Sequence, residues 1–559
     1  MVVTIMLGLG LLLARVVQLQ SHPDRPVAAL VDSQRSRVRL DGRRGNLFDR
    51  RGRVLATSRV AHHLFVDPLL IVDLNTFSET LGYALGYDPS WIERKISLRP
   101  GSRWVSIDRR ISEARLDSLD RAKLSGAAVS TWLARDYPKN HRAGQVIGVV
   151  GRDGFGLEGL EAAQESVLRG AAGSLGTVRD ARRRTLWVTA PDYVAPVNGR
   201  SVVLTIDLTI QAIAEEALQT VCNEFGASSG QIVVLSARGG DILAMANFPF
   251  FDPNRLARSR PQLRRNRCVT DMFEPGSTFK PIVWAAALEA GVVRIDEVID
   301  CTESGVYVSP RGRRLHDARG HGRLTWEQVL IESSNIGMAV VGQKLGGRRM
   351  YDAVRRFGFG RRTHSGLPGE SAGKVNSPAR WNHYSITSVP MGHEIAATPL
   401  QIVRAYAALA DDGLAVKPRI TLPLSPGAAA PIYERVVSVK TARMTRRALR
   451  GVVTGGTGHR AASRLYKIFG KTGTAQIAAP DGRGYLEDQY VASFVGGAPY
   501  DRPRIIVGCF IHRPDPSIAY YGGTVAAPAV RRVVEESLLY LGVPPLADAR
   551  LDSFHLASR

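Results

Sequence analysis

A serine and a lysine stand three residues apart in EPGSTFKP (274–281), at the entrance to the apolar run from Ile282 to Leu288. Three residues apart on a helix, Ser277 and Lys280 share a face. Pro275 and Gly276 permit a sharp entry, and the start of a helix presents backbone N–H groups and a dipole to developing negative charge. A serine becomes a nucleophile when a neighbour takes its proton. A lysine can do that once burial or a nearby cation lowers its pKa. The spacing alone carries little: roughly two S-x-x-K copies arise by chance in a chain this long. A capping serine beside a snorkelling lysine would produce the same letters.

Two further groups have suitable chemistry. In ESSNIGMA (332–339), Ser333 and Asn335 can flank a site as proton relay and amide-binding group, and a polar helix cap accounts for the same residues. In YKIFGKTGTAQ (466–476), strand-like residues lead into Lys471, Thr472, Gly473 and Thr474. A glycine on a strand edge lets a substrate backbone approach and pair as an extra strand. The lysine supplies charge, and the threonine hydroxyls can hold a carboxylate. K-T-G is expected by chance about once in ten chains of this length.

The elements that must position these residues follow from the pattern around them. From residue 200 the texture is α+β. SVVLTID reads as a strand, and Asp207 caps a helix over LTIQAIAEEALQTVCNEF. GQIVVLSARGGDILAMAN (230–247) reads as a hairpin, YVASFVGGAP and PRIIVGCFIH as two strands, and TVAAPAVRRVVEESLLYL (524–541) as a closing helix. Mostly helical sequence lies between Phe273 and Leu449, so an antiparallel sheet flanked by helices is expected. Residues 20–198 are rich in Arg and Gly, with short strands at NLFDRRGRVLATS (46–58), short helices at PSWIERKI and SEARLDSLDRAKL, and a hairpin at LGTVRDARRRTLWV. They gather no catalytic cluster and read as a scaffold or docking module. The expected division is an anchor (1–19), an N-terminal module (20–198), a catalytic domain (199–543) and a tail (544–559).

The net charge of +23, from 74 Lys and Arg against 51 Asp and Glu, favours anionic partners. The basic residues are dispersed in short clusters such as 181–185, 263–267 and 311–314, and no nucleic-acid motif accompanies them, so nucleic acid is not an expected partner. The twelve histidines show no ligand spacing, and neither metal nor cofactor is implied. Cys222, Cys268, Cys301 and Cys509 form no C-x-x-C pair; buried thiols and one or two bridges are both open. Residues 1–14 are uncharged and almost wholly apolar before Arg15, which reads as part of a membrane anchor whose start lies upstream.

S-x-x-K, S-x-N and K-T-G, in that order, form the signature of penicillin-binding proteins and serine β-lactamases, with Ser334 here in place of the aspartate of S-D-N. The chain resembles a class B penicillin-binding protein, a peptidoglycan D,D-transpeptidase, over nearly its whole length. RGNLFDRRGRVLA, RDYP and GLEGLE (156–161) look like that family's N-terminal pedestal segments. EPGSTFKP, SSNIGMA, GLPGE (366–370), TPLQ (398–401), GKTGTAQ and YYGGTVAAP (520–528) look like its later landmarks. SSN leans toward the cell-division type over the elongation type.

The resemblance implies a single-pass inner-membrane protein with its catalytic domain on the extracytoplasmic side. It implies an elongated pedestal or dimerisation-like domain before a penicillin-binding transpeptidase fold. The substrates would be stem peptides ending in D-Ala-D-Ala. Ser277 would be the nucleophile, Lys280 its base and Ser333 a relay, with Lys471 tuning charge. Asn335 would bind the peptide amide, and Thr472, Gly473 and Thr474 the donor end, with the backbone N–H groups of Ser277 and Thr474 as oxyanion hole. β-Lactams would acylate Ser277, and a polytopic glycan polymerase and other division proteins would be partners. A β-lactamase or D,D-carboxypeptidase, for which Glu370 offers a conceivable base, and a division scaffold are the alternatives. His393 and Glu394 in MGHEIAATPLQ receive no role.

Overall fold

The computed structural model describes residues 2–21, 35–179, 185–310, 312–423, 431–479 and 484–547. Residues 181–184 of the basic cluster and most of the expected tail lie outside them. The described chain forms two compact units that interleave in sequence. One comprises 1–46, 57–136 and 166–201, and the other 47–56, 137–165 and 202–559.

The smaller unit carries two sheets and a helical cluster. Arg35–Leu40, Gly173–Arg179 and Thr185–Val194 form an antiparallel sheet in that order, so the hairpin expected near 175–188 is present. Residues 57–66 pair with Ala127–Asp136 on one side and with Val105–Ile111 on the other. The helices Leu74–Leu85, Pro89–Ser97 and Glu113–Ala122 bury Phe77, Leu81, Ile92, Ile96 and Leu119 against Val105 and Ile107. Asp73 and Asp88 start the first two by accepting the N–H of the second residue after them.

The helix Val2–Ser21 continues through Arg15, whose guanidinium reaches the Gln18 side chain at 2.9 Å. It is exposed, and by length and composition it is apolar enough to cross a membrane.

The larger unit is built on a five-stranded antiparallel sheet. Its strands are β1 (Ser229–Ser236), β2 (Ile242–Phe248), β3 (Phe469–Ala478), β4 (Tyr485–Ala498) and β5 (Ile505–His512), in spatial order β2-β1-β5-β4-β3. These strands read as nearly continuous apolar runs because helices cover both faces. A Cβ on Gly230 would meet Leu218 and Cys222 of the helix α1 (Leu208–Glu224), whereas one on Gly508 would meet Val403 of a helix on the other face. The main core joins α1 and the final helix, Ala527–Tyr540, to Ile232, Val234, Val507, Cys509 and Ile511.

Between β2 and β3 the chain is mostly helical, as the sequence indicates. It includes α2 (Lys280–Glu289), α3 (Asn335–Leu345), α4 (Pro399–Ala410) and α5 (Val439–Thr454), together with short two-stranded pieces. Helix α2 is buried nearly all round, which explains its lack of a polar face. Its Trp284 lies flat against Trp326, ring centroids 5.8 Å apart, and donates to the Trp326 carbonyl. All four cysteines are buried free thiols, which settles the choice left open by their spacing. Burial pushes the Cys222 thiol up to about 12.

Candidate active site

The local geometry around Ser277 differs from a continuous α-helix. Gly276–Phe279 is a 3₁₀ turn, and the α-helix begins only at Lys280 with Pro281 in its first turn. Proline suits that position because its missing N–H would be unpaired anyway. Gly276 enters the turn at φ 52°, a conformation that favours glycine, and its N–H donates to the Gly392 carbonyl at 3.2 Å. The Tyr406 hydroxyl of α4 donates to the Thr278 carbonyl at 2.7 Å and fixes the turn from below. Residues i and i+3 eclipse in a 3₁₀ turn, so Ser277 and Lys280 still share a side. Among the described residues the Ser277 hydroxyl has no hydrogen-bond partner.

Lys280 is wholly buried. Its Nζ lies 2.5 Å from the Ser333 carbonyl, 2.7 Å from Asn335 Oδ1 and 3.2 Å from Ser333 Oγ. Burial pulls the ammonium down to about 7, although the Asp317 carboxylate pulls the other way. A neutral amine has two hydrogens and one lone pair. The two short contacts use the hydrogens, which leaves the lone pair for a hydroxyl proton.

Ser333 holds this geometry through a conformation that its sequence did not announce. It sits at φ 63°, in the left-handed region that costs a non-glycine residue free energy. The turn directs both its carbonyl and its hydroxyl to Lys280. The next residue, Ser334, is the N-cap of α3 and accepts the Gly337 N–H. Ser334 is thus the cap, and its neighbours Ser333 and Asn335 are brought to Lys280.

Asp317 was not singled out from the sequence. Its carboxylate accepts Ser334 Oγ–H at 2.6 Å and the N–H groups of Asn335 at 2.5 Å and Ile336 at 3.2 Å. It caps the helix that carries Asn335, whose amide nitrogen also donates to the His316 carbonyl at 2.9 Å. A single aspartate in a loop gives no local pattern by which to find it.

Lys471 to Thr474 lie on the edge strand β3. Lys471 is wholly buried, and burial, with the nearby charge of Lys280, drives its ammonium well below the usual lysine range. Among the described residues its Nζ makes only long contacts, 3.4 Å to the hydroxyls of Thr457 and Thr472 and 3.5 Å to the Thr472 carbonyl. Thr457, also unanticipated, lies 2.7 Å from the Thr472 hydroxyl. Thr474 Oγ1 accepts the Gly522 N–H at 3.0 Å. Gly473 has a steric reason: an added Cβ would stand 2.5 Å from Ser493 Oγ and 2.8 Å from Thr278 Cγ2. That contact, and Ala475 against Gly276, bring β3 against the Ser277 turn.

A cleft of about 540 Å³ runs alongside, walled by His316, Asn335, Tyr384, His393, Gln476 and Tyr485. Glu370 is fully engaged elsewhere. Its two oxygens accept the Thr363 hydroxyl, the His364 N–H and both the N–H and hydroxyl of Ser365. It closes its own loop, which removes the basis for treating it as a hydrolytic base.

Comparison with known proteins gives the family of the chain. Residues 230–535 match the penicillin binding protein transpeptidase domain, and 39–204 match the penicillin-binding protein dimerisation domain. The chain is 35% identical over 512 residues to the probable peptidoglycan D,D-transpeptidase PenA of Neisseria gonorrhoeae, covering 90% of this chain and 86% of that protein. It is 31% identical over 551 residues to the peptidoglycan D,D-transpeptidase FtsI of Escherichia coli, covering 97% and 91%. Penicillin binding protein 3 of Mycobacterium tuberculosis, solved with aztreonam, superposes with a TM-score of 0.70 at 30% identity, covering 91% of this chain and 98% of that one. Two family domains in order, and relatives aligned along almost the whole chain, make this protein a member of the penicillin-binding protein transpeptidase family.

Proposed function

We propose that the chain is a peptidoglycan D,D-transpeptidase that crosslinks stem peptides through an acyl-enzyme on Ser277. The observation that carries this reading is Lys280: a buried amine near neutrality, with two contacts that use its hydrogens and a lone pair left over. Lys280 takes the Ser277 proton as Oγ attacks the penultimate D-Ala carbonyl. The backbone N–H groups of Ser277 and Thr474 receive the oxyanion. Ser333, 3.2 Å from Lys280, relays the proton to the departing D-Ala. Asn335 holds the peptide amide, Thr472 and Thr474 hold the terminal carboxylate, and Lys471 sets the local charge. An amine of a second stem peptide then attacks the ester and forms the crosslink.

The same serine is the expected point of β-lactam attack, in keeping with the relative solved with aztreonam. SSN and the likeness to FtsI favour a septal role, with a glycan polymerase and division proteins as partners. The helix Val2–Ser21 would anchor the chain in the cytoplasmic membrane, with both units outside the cytoplasm.

Labelling with a fluorescent penicillin, followed by mass mapping of the acylated peptide, tests the assignment. Ser277→Ala should abolish labelling, and the wild-type adduct should map to the peptide containing Ser277. Undiminished labelling of the variant would remove Ser277 as nucleophile.

A further inference from the structure

Three residues that the acylation chemistry leaves unused meet beside the site. Glu274 precedes Ser277 by three positions. Its Oε2 lies 2.9 Å from His393 Nδ1 and accepts the Tyr485 hydroxyl at 2.9 Å, while Oε1 accepts the Glu394 N–H at 2.9 Å. Burial alone would raise the Glu274 carboxyl, but the bonds from His393, Glu394 and Tyr485 more than offset it and hold the group ionised. An ionised carboxylate can only accept, so His393 Nδ1 is the donor of this pair. That fixes the tautomer, and the remaining lone pair of the ring is on Nε2. A carboxylate that orients an imidazole in this way makes it a general base.

The placement suits the second half-reaction. The His393 side chain is 31% exposed and walls the cleft together with Asn335 and Gln476. Its chain neighbour Gly392 is bonded to Gly276, next to the nucleophile. An acceptor amine reaches this cleft as an ammonium, which has no lone pair and must lose a proton before it can attack. Glu394 lines the same cleft and Glu274 lines the adjoining one, while Arg313, Arg314 and His316 are the other basic residues of this cleft and Tyr485 completes its lining.

We propose that the Glu274–His393 pair receives the acceptor ammonium and that His393 Nε2 takes its first proton. This rests on the transpeptidase reading above. The freed amine forms the new C–N bond to the acyl carbon, and the C–Oγ bond of the Ser277 ester breaks. The second amine proton passes through Lys280 to Ser277 Oγ, and the imidazolium later returns its proton to water. Water can reach the same ester without this pair, so the dyad favours transfer over hydrolysis.

The test uses the full chain, a thioester mimic of the donor peptide and D-alanine as acceptor. The readout is the ratio of amide product to hydrolysed product. His393→Gln should lower that ratio by about 10²-fold, in the range of a lost general base. Glu274→Gln, which keeps shape and loses charge, should lower it in the same direction. If amide and hydrolysed product fall in proportion, the group only positions the nucleophile turn, and the proposal is overturned. An unchanged ratio in His393→Gln overturns it as well. A wild-type chain that forms no acyl-enzyme would instead defeat the transpeptidase reading, and this inference with it.

Discussion

The larger unit buries two sets of charges, and they are handled in opposite ways. Around Asp49 and Asp207, both wholly buried, every charge has a partner. Asp49 accepts Arg53 Nε at 2.7 Å and the N–H groups of Arg51, Arg53 and Leu208. Asp207 accepts Arg53 Nη2 at 2.7 Å, Arg51 Nε at 3.0 Å, the Thr209 N–H and the Tyr540 hydroxyl. Two carboxylates face two guanidiniums, and their lone pairs are filled. Around Lys280 and Lys471, equally buried, there is no carboxylate in contact among the described residues. The near one, Asp317, is committed to the N-terminus of α3. Balanced burial fixes a segment in place, here RRGRV against the start of α1. Unbalanced burial keeps an amine close to losing its proton. The first set reads as structure and the second as chemistry, because a folded chain retains uncompensated buried cations only at a cost.

Replacing the two sets should therefore separate stability from activity. Lys280→Met has the largest expected effect on function: penicillin acylation should slow by about 10³-fold, the loss of a general base. Stability should hold or rise, because an apolar side chain of similar length removes a poorly compensated buried cation. Thermal unfolding and acylation rate, measured on one preparation, check both halves. A variant that is slow only because it is unfolded would break the contrast. Asp207→Asn should behave in the opposite way. Arg53 keeps Asp49 and is partly open to water, so losing the Asp207 charge removes charge-assisted hydrogen bonds rather than stranding a cation, and should cost about 1.5–3 kcal/mol of unfolding free energy. The acylation rate of the protein that remains folded should stay near wild type, since the partners of Asp207 among the described residues are Arg51, Arg53, Thr209 and Tyr540, none of them in the Ser277 turn.

Much of this contrast was legible in the sequence, but unevenly. The apolar run after Lys280 announced a buried helix, and the order of the three motifs announced one site. The strands β1, β2, β4 and β5 were readable because their runs are long and bounded by turn residues. Asp317 and Thr457 were not readable. Each acts across a fold contact, 18 residues before Asn335 and 15 before Thr472, where no period links them. The 3₁₀ turn at Ser277 was missed because one turn of either helix puts the same letters on the same side. Ser333 at φ 63° could not be foreseen, since nothing in the type of a serine favours a left-handed backbone. RRGRV was legible only as a family landmark. Its reason is a charge-balanced clasp on Asp207, more than 150 residues away in the chain, which no local pattern signals.

The pH dependence gives the finest separation, because the two sets titrate in different windows. The proposed base, Lys280, can work only when neutral, and burial pulls its ammonium down to about 7. Below that value the neutral fraction falls tenfold for each pH unit, so acylation by penicillin should fall by about that factor per unit and level off above it. Stability follows the same residue with a definite sign. Between about 7 and the ordinary lysine range the unfolded chain carries a proton that the folded chain does not, so this group makes stability rise with pH there. The Asp49 carboxyl behaves differently. Burial would raise it, but Arg53 and three backbone N–H groups hold it below its ordinary value of 3.8. Its contribution is present above that value and is lost only as pH falls through its lower, folded-state value. Between pH 5 and 7 the acylation rate should therefore change steeply while Asp49 stays ionised. Acid unfolding should begin well below the pH at which acylation has stopped. A loss of acylation that coincides with unfolding would show that the two sets are not independent.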